Sequence, residues 1–168
     1  MSARSFETRC GRSDEGRGAG GRSGNQAASI DEVTNKHLLP VYNRPMIYYP
    51  IQTLVNAGIH EILIVTGGNN AGDFLRLLGN GKEFGLQHVG YTYQEGEGGI
   101  ADALRLAEHF AEGEPVCFML GDNIIEGNVR RAAQAFRDQK SGAKILLKEV
   151  KDPQRFGVPV LEGDRVVK

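Results

Sequence analysis

Short apolar runs alternating with helical patterns fill the chain from Val33 onward, and that alternation restricts the fold more than any other feature. EILIVTG (61–67), QHVGYTYQ (87–94), PVCFMLGD (115–122) and AKILLKEV (143–150) read as four strands. The third is apolar without interruption, as expected of a strand buried on both faces. Ahead of the first strand lies a helical pattern over residues 45–57, and between the strands lie patterns over 73–78 and 129–140 and another carried by Ile100, Ala103, Leu104, Leu106, Ala107 and Phe110. Pro45 is expected in the first turn of its helix, Pro50 near that same end, and Gly58 as the stop. FGVPVLEGDRVVK (156–168) reads as the start of a hairpin. Strands alternating with helices imply parallel βαβ units in one three-layer α/β sheet. Ligands of such sheets bind beyond the carboxyl ends of the strands, which directs attention to the loops GGNN, QEGEGG and LGDN.

The first 32 residues have a different character. They are rich in Gly, Arg and Ser, and Met1, Phe6 and Ile30 are their only large aliphatic or Phe side chains. So little apolar surface does not offset the entropy of ordering, so the segment 1–32 is expected to be a disordered tail and 33–168 the domain. At 168 residues there is room for one domain. A net charge of −1 argues against nucleic acid or an anionic membrane as partner. No apolar run approaches the roughly 20 residues that span a bilayer. The Arg-rich start has no apolar stretch behind it, unlike a secretory signal, and Glu7, Asp14 and Glu15 do not suit a transit peptide. Cys10 and Cys117 match no metal spacing, and Cys117 inside PVCFML reads as a buried thiol. A cytoplasmic location fits.

Three motifs carry chemistry. In LGDN (120–123), Asp122 at the end of a buried strand can offer a carboxylate to a hard cation such as Mg²⁺, although an Asp-Asn pair also suits a plain turn or cap. In QEGEGG, followed by IADAL, the glycines let backbone approach a ligand, and the amide of Gln94 can donate to and accept from a nucleobase edge. A flexible connection explains the same composition, and Glu95 and Glu97 argue against a phosphate cradle there. In TNKHLLPVYNRPM, Lys36 is placed to aim a point charge at phosphate, or to be solvated. His37, His60, His88 and His109 share no spacing, and none is assigned to catalysis or metal.

Taken together, NKHLLPVYNRPMIYYPIQTLVNAGI, EILIVTG, QEGEGGIADAL, LGDN and DPQRFGV resemble, in order and spacing, the sugar-1-phosphate nucleotidyltransferases, in particular those of the glucose-1-phosphate thymidylyltransferase type. The resemblance covers about residues 33–168. It implies a Rossmann-like, mostly parallel sheet of the nucleotide-diphospho-sugar transferase type, here incomplete. It also implies Mg²⁺-dependent attack of a sugar-1-phosphate oxygen on the α-phosphate of a nucleoside triphosphate, with dTDP-glucose and pyrophosphate as products and a homo-oligomeric enzyme. By the same resemblance Lys36 contacts phosphate, Asp122 holds Mg²⁺, Gln94 and Gly99 read the base, and Asn123 and Gly157 face the sugar. Pro159 and Val160 stand where the family commonly continues toward a Glu. One Gln does not fix the base, so a uridylyltransferase using UTP is the nearest alternative. A non-catalytic nucleotide- or sugar-phosphate-binding module and an inactive fragment are alternatives of another kind.

The family begins with a strand and a G-x-G-T-R-x-x-P loop, which is not written here, and its E-K-P segment and second metal-binding Asp are expected beyond Lys168. Codons permissible for residues 14–32, shifted forward by one nucleotide, can spell M-K-G-V-V-L-A-G-G-R-G-T-R-L-R-P-L-T-R, joining directly onto VTNKHLLPV. The expectation is therefore a one-nucleotide frameshift at the seam and a written chain of marginal stability whose activity is impaired by the missing segments. Resequencing the gene is expected to reveal the shifted frame, and an intact frame through residues 14–33 with no indel relative to close homologues contradicts it. A cooperative melt well above room temperature contradicts the second expectation.

Overall fold

The computed structural model describes residues 4–8, 35–68, 71–96, 98–139 and 141–167. Its centre is a four-stranded, wholly parallel sheet in the order β5-β4-β1-β6. The strands are β1 (Arg4–Thr8), β4 (Glu61–Thr66), β5 (His88–Tyr93) and β6 (Val116–Leu120). Two small antiparallel pairs lie outside it: β2 (Pro40–Val41) with β3 (Arg44–Pro45), and β7 (Leu161–Glu162) with β8 (Arg165–Val166). The second is the expected hairpin. The helices are α1 (Tyr48–Asn56), α2 (Ala71–Leu78), α3 (Gly99–Leu106), α4 (Glu108–Ala111) and α5 (Arg130–Gln139).

Parallel strands cannot be joined by hairpins, so each crossover carries a helix that covers the sheet. The alternation along β4 shows both faces covered. Ile62 and Ile64 join Ile51 and Leu54 of α1, Phe74 and Leu78 of α2, and Met119 of β6 in one core. Leu63 and Val65 point the other way, into a second core with Ala103 of α3 and Ala107, flanked by Phe110, Val116 and Phe118. The result is the three-layer arrangement expected from the sequence. Half-buried Cys117 packs against the first core, and burial pushes its thiol up. The Arg130 guanidinium donates twice to the carbonyl of Asn56, at 3.1 and 2.8 Å, tying the start of α5 to the C-terminus of α1.

Several expectations are corrected. Residues 143–150 form no strand; they are irregular and exposed. Their Ile-Leu-Leu run has strand propensity, but a strand exists only where a ladder partner accepts its backbone groups. The fourth parallel strand comes instead from Arg4–Thr8, inside the segment expected to lack order. It takes the inner position, with Phe6 in register with Leu63 on one side and Phe118 on the other. Five residues flanked by two parallel neighbours satisfy their backbone without a long apolar run. The rest of the expected tail lies outside the described residues. Pro45 belongs to β3, not to the first turn of α1, whereas Pro50 is the third residue of α1, where no N–H partner is lost. The helical run over residues 100–110 is divided at Ala107 into α3 and α4.

Truncation of a fully buried apolar side chain in this sheet carries a cavity cost that an exposed one does not. Ile62→Ala (0 % exposed) is expected to lower stability by about 2–5 kcal/mol in urea denaturation. Ile145→Ala (55 % exposed) is expected to stay within about 0.5 kcal/mol of the parent. A large loss at Ile145 contradicts the exposed, irregular course of residues 143–150.

Candidate active site

From β1 the chain proceeds to β4 on one side, and the last parallel strand, β6, lies on the other. The strand order therefore reverses between β1 and β6, and the carboxyl ends of these two strands flank the crevice where open α/β sheets bind ligands. β6 ends at Leu120. There the Asn123 N–H donates to the Leu120 carbonyl (3.0 Å) and the Leu120 N–H to Asn123 Oδ1 (3.4 Å). This tight turn holds Asp122 at its tip.

Opposite stands Lys36, at the start of a 3₁₀ helix over Lys36–Leu38. Its Nζ donates to Asp122 Oδ2 at 2.8 Å, a contact between residues 86 apart in sequence. The lysine is anchored from beneath. Asn35 caps the 3₁₀ turn, and its Oδ1 accepts from the backbone N–H of His37 (3.1 Å) and from His37 Nδ1 (2.7 Å). With the amide set that way, Nδ1 carries the ring proton. Asn35 and His37 are 0 % and 2 % exposed, and the His37 ring lies tilted 6.5 Å from that of Phe74. The His37 carbonyl accepts from the Ile47 N–H at 2.9 Å, which ties the turn to the approach to α1. Asn35 Nδ2 is buried with no hydrogen-bond partner among the described residues.

Partial burial pushes the Asp122 carboxyl up. The hydrogen bond and charge of Lys36, with smaller contributions from His37 and the local backbone, outweigh it and leave the group below its ordinary value. Among the described residues no three His, Cys, Asp or Glu side chains gather as a metal cage. A single carboxylate at a strand end fits a hard cation that keeps waters and takes its other ligands from a phosphate substrate, as Mg²⁺ does.

The other end of the sheet edge is built around Gln94. Its N–H donates to the Thr66 carbonyl at 2.8 Å, extending the β4–β5 ladder by one residue. Gly67 makes this approach possible, since a Cβ there would lie 2.8 Å from the Gln94 carbonyl oxygen. The side chain is 7 % exposed, and Nε2 donates to the Gly99 carbonyl (3.0 Å) and to Asp102 Oδ2 (3.3 Å). Gly99 opens α3 at φ +72°, in the left-handed region that glycine adopts without strain. The Asp102 carboxyl is held low by hydrogen bonds from Arg105 and Gln94. Three inter-strand spacings, roughly 14 Å, separate the ends of β5 and β6.

Lys36, Asp122 and Asn123 are thus brought together, as are Gln94 and Gly99. Gly157 is not joined to them: it is exposed, just past the 3₁₀ turn over Pro153–Arg155, and no hydrogen bond links it to either group among the described residues. Sequence reasoning missed Asn35 and His37 beneath Lys36, and Asp102 behind Gln94. Asn35 directly before Lys36 was the available signal, since Asn two residues ahead of a turn donor is a capping pattern.

These elements define an α/β domain of the nucleotide-diphospho-sugar transferase fold. The chain belongs to the nucleotidyl transferase family, whose model matches residues 19–168. That match begins within the Gly-rich segment, ahead of the boundary drawn at residues 32 and 33. The chain is 42 % identical over 139 residues to a glucose-1-phosphate thymidylyltransferase of Actinoplanes sp., covering 82 % of this chain and 45 % of the relative. It is 41 % identical over 139 residues to that of Neisseria meningitidis, covering 82 % and 48 %. The chain spans about half the length of the curated relatives it matches. It is also similar to a crystal structure of a candidate glucose-1-phosphate thymidylyltransferase from Bacillus anthracis in complex with sucrose. There the TM-score is 0.82 at 37 % identity, covering all of this chain and 63 % of the other. A UDP-glucose pyrophosphorylase structure, at TM-score 0.61 and 17 % identity over 83 % of this chain, shares the fold.

A carboxylate whose folded-state pKa is depressed adds stability above its unfolded value and loses it as pH falls through the folded one. Asp122→Asn is therefore expected to destabilise the chain at pH 7, by no more than about 1 kcal/mol because the pair is half-exposed. In urea titrations the difference from the parent should vanish as pH falls below the ordinary 3.8. A gap that does not narrow as pH falls through and below that value contradicts the assignment.

Proposed function

We propose that the chain serves transfer of a thymidylyl group from dTTP to glucose-1-phosphate, giving dTDP-glucose and pyrophosphate. The observation that carries this reading is the 2.8 Å contact of Lys36 with Asp122 at the crevice where the strand order reverses. A cation and a carboxylate meet there, at the place a triphosphate occupies in sheets of this kind. The family match and the relatives at about 40 % identity support the same chemistry.

In this reading the sugar-1-phosphate oxygen attacks the α-phosphorus, the bond to the bridging oxygen breaks, and pyrophosphate leaves. Lys36 presents its charge to the phosphate oxygens, and Asp122 would hold Mg²⁺. Bound there, the metal supplies neutralisation of the triphosphate charge. Gln94 and Gly99 receive the base and Asn123 faces the sugar; Gly157, which stands apart from both groups among the described residues, is assigned to the sugar side by the family resemblance alone. The protein's contribution is mostly positioning and electrostatic stabilisation, which suits side chains anchored as firmly as Lys36 and Gln94 are. A cytoplasmic homo-oligomer is part of the same reading. Among the described residues no helix is long and apolar enough to cross a membrane.

Pyrophosphate release, measured with Mg²⁺, glucose-1-phosphate and each nucleoside triphosphate in turn, tests it. Release is expected to be fastest with dTTP and to fall about 10²–10³-fold in Lys36→Ala and in Asp122→Ala, the cost of removing one stabilising group from a developing charge. dTTP binding without release points to a nucleotide-binding module and overturns the catalytic reading. Fastest release with UTP overturns the choice of base.

A further inference from the structure

We propose that Asp102 sets the base preference of this site by locking the Gln94 amide so that only its carbonyl oxygen faces the ligand. The inference rests on the reading of Gln94 as the base contact.

Both partners of Gln94 Nε2 are acceptors and nothing else: the Gly99 main-chain carbonyl at 3.0 Å and an Asp102 carboxylate oxygen at 3.3 Å. The two amide hydrogens are therefore both taken inside the protein. Turning the amide over would set Oε1 against two oxygens. Oε1 is thus the outward end, and it takes no hydrogen bond among the described residues.

The carboxylate is itself held in place. Arg105, on the next turn of α3, donates to Asp102 Oδ1 at 2.8 Å and keeps the group ionised and acceptor-only. Gly98 leaves the space it occupies, because a Cβ there would lie 2.8 Å from the Asp102 Cβ and closer still to the carboxylate. A loop of two consecutive glycines thus has two separate causes: Gly98 makes room for Asp102, and Gly99 supplies the positive φ.

An acceptor-only contact distinguishes the pyrimidines. Thymine and uracil present an imide N3–H, which donates to Oε1. Cytosine presents a lone pair at the same ring position, so two acceptors face each other. A glutamine free to turn over would serve either base; one locked by Asp102 serves the imide bases only.

The test is a calorimetric titration of the full chain with dTTP and with dCTP, each with Mg²⁺ and without sugar phosphate. The parent is expected to prefer dTTP. Asp102→Asn keeps the shape but lets the partner donate as well as accept, so it should narrow the dTTP-to-dCTP ratio roughly tenfold or more, from the lower end of the range for one hydrogen bond to a charged group. Part of the change should be a gain in dCTP affinity, which a general loosening of the loop, weakening both ligands alike, does not produce. Gly98→Ala, which displaces the carboxylate without removing it, should narrow the ratio in the same direction. An unchanged ratio in both variants overturns the proposal, as does equal affinity of the parent for the two triphosphates. Gln94→Ala separates the two levels. If it collapses the ratio while the Asp102 and Gly98 variants keep it, the positioning role falls and the base contact stands. If it leaves the ratio intact, the base contact falls as well.

Discussion

The two halves of the site are joined through one strand. β4 ends at Thr66, β5 ends at Tyr93 just ahead of Gln94, and β6 ends at the turn holding Asp122; among the described strands only β1 pairs with both β4 and β6. A parallel ladder fixes the spacing of its members at about 4.8 Å, so the inner strand sets the distance between the glutamine and the carboxylate. β1 does this with backbone groups, which explains how a segment of modest apolar content can hold the position. It also explains why the crevice falls beside β1, since that is where the connections diverge to the two sides of the sheet.

Side chains at the crevice are held by local capping bonds more than by one another. Asn35 grips the backbone and ring of His37, Asn123 folds back on Leu120, and Gln94 reaches Gly99 and Asp102. Each bond satisfies a donor or acceptor that the end of a strand or turn leaves open. The Lys36–Asp122 contact then spans two elements already fixed on their own sides. A half-exposed ion pair contributes little to stability. Its interest is that two charged groups from remote parts of the chain are presented within hydrogen-bond distance.

What was legible in the sequence follows from this. β4 and β6 show as continuous apolar runs, β5 shows as a mixed run at the sheet edge, and Lys36, Gln94, Gly99 and Asp122 show because they stand at the ends of recognisable motifs. AKILLKEV was misread because propensity describes a segment's fitness for a sheet and not the presence of a neighbour. β1 was missed for the converse reason: Arg-Ser-Phe-Glu-Thr is unremarkable in composition, and the Gly-rich residues after it dominate any average taken over the first 32. Asn35 shows only as a turn-capping pattern, and His37 and Asp102 carry no signal of type or spacing. Their roles arise from burial and from which atom faces which, and these exist only once the chain is folded.

The same logic explains why the glycines of residues 96–99 were read too simply. Sequence alone offered two readings, glycines that let backbone approach a ligand closely and a flexible connection. In the fold, Gly98 is filled by the Asp102 side chain and Gly99 is the left-handed entry to α3. Their smallness serves close packing on the protein's side of Gln94. A base contact of this kind gains its selectivity from rigidity, because an amide is symmetrical enough in shape to present either end. In the proposed reading, the element that fixes which end is presented sets the selectivity of that contact.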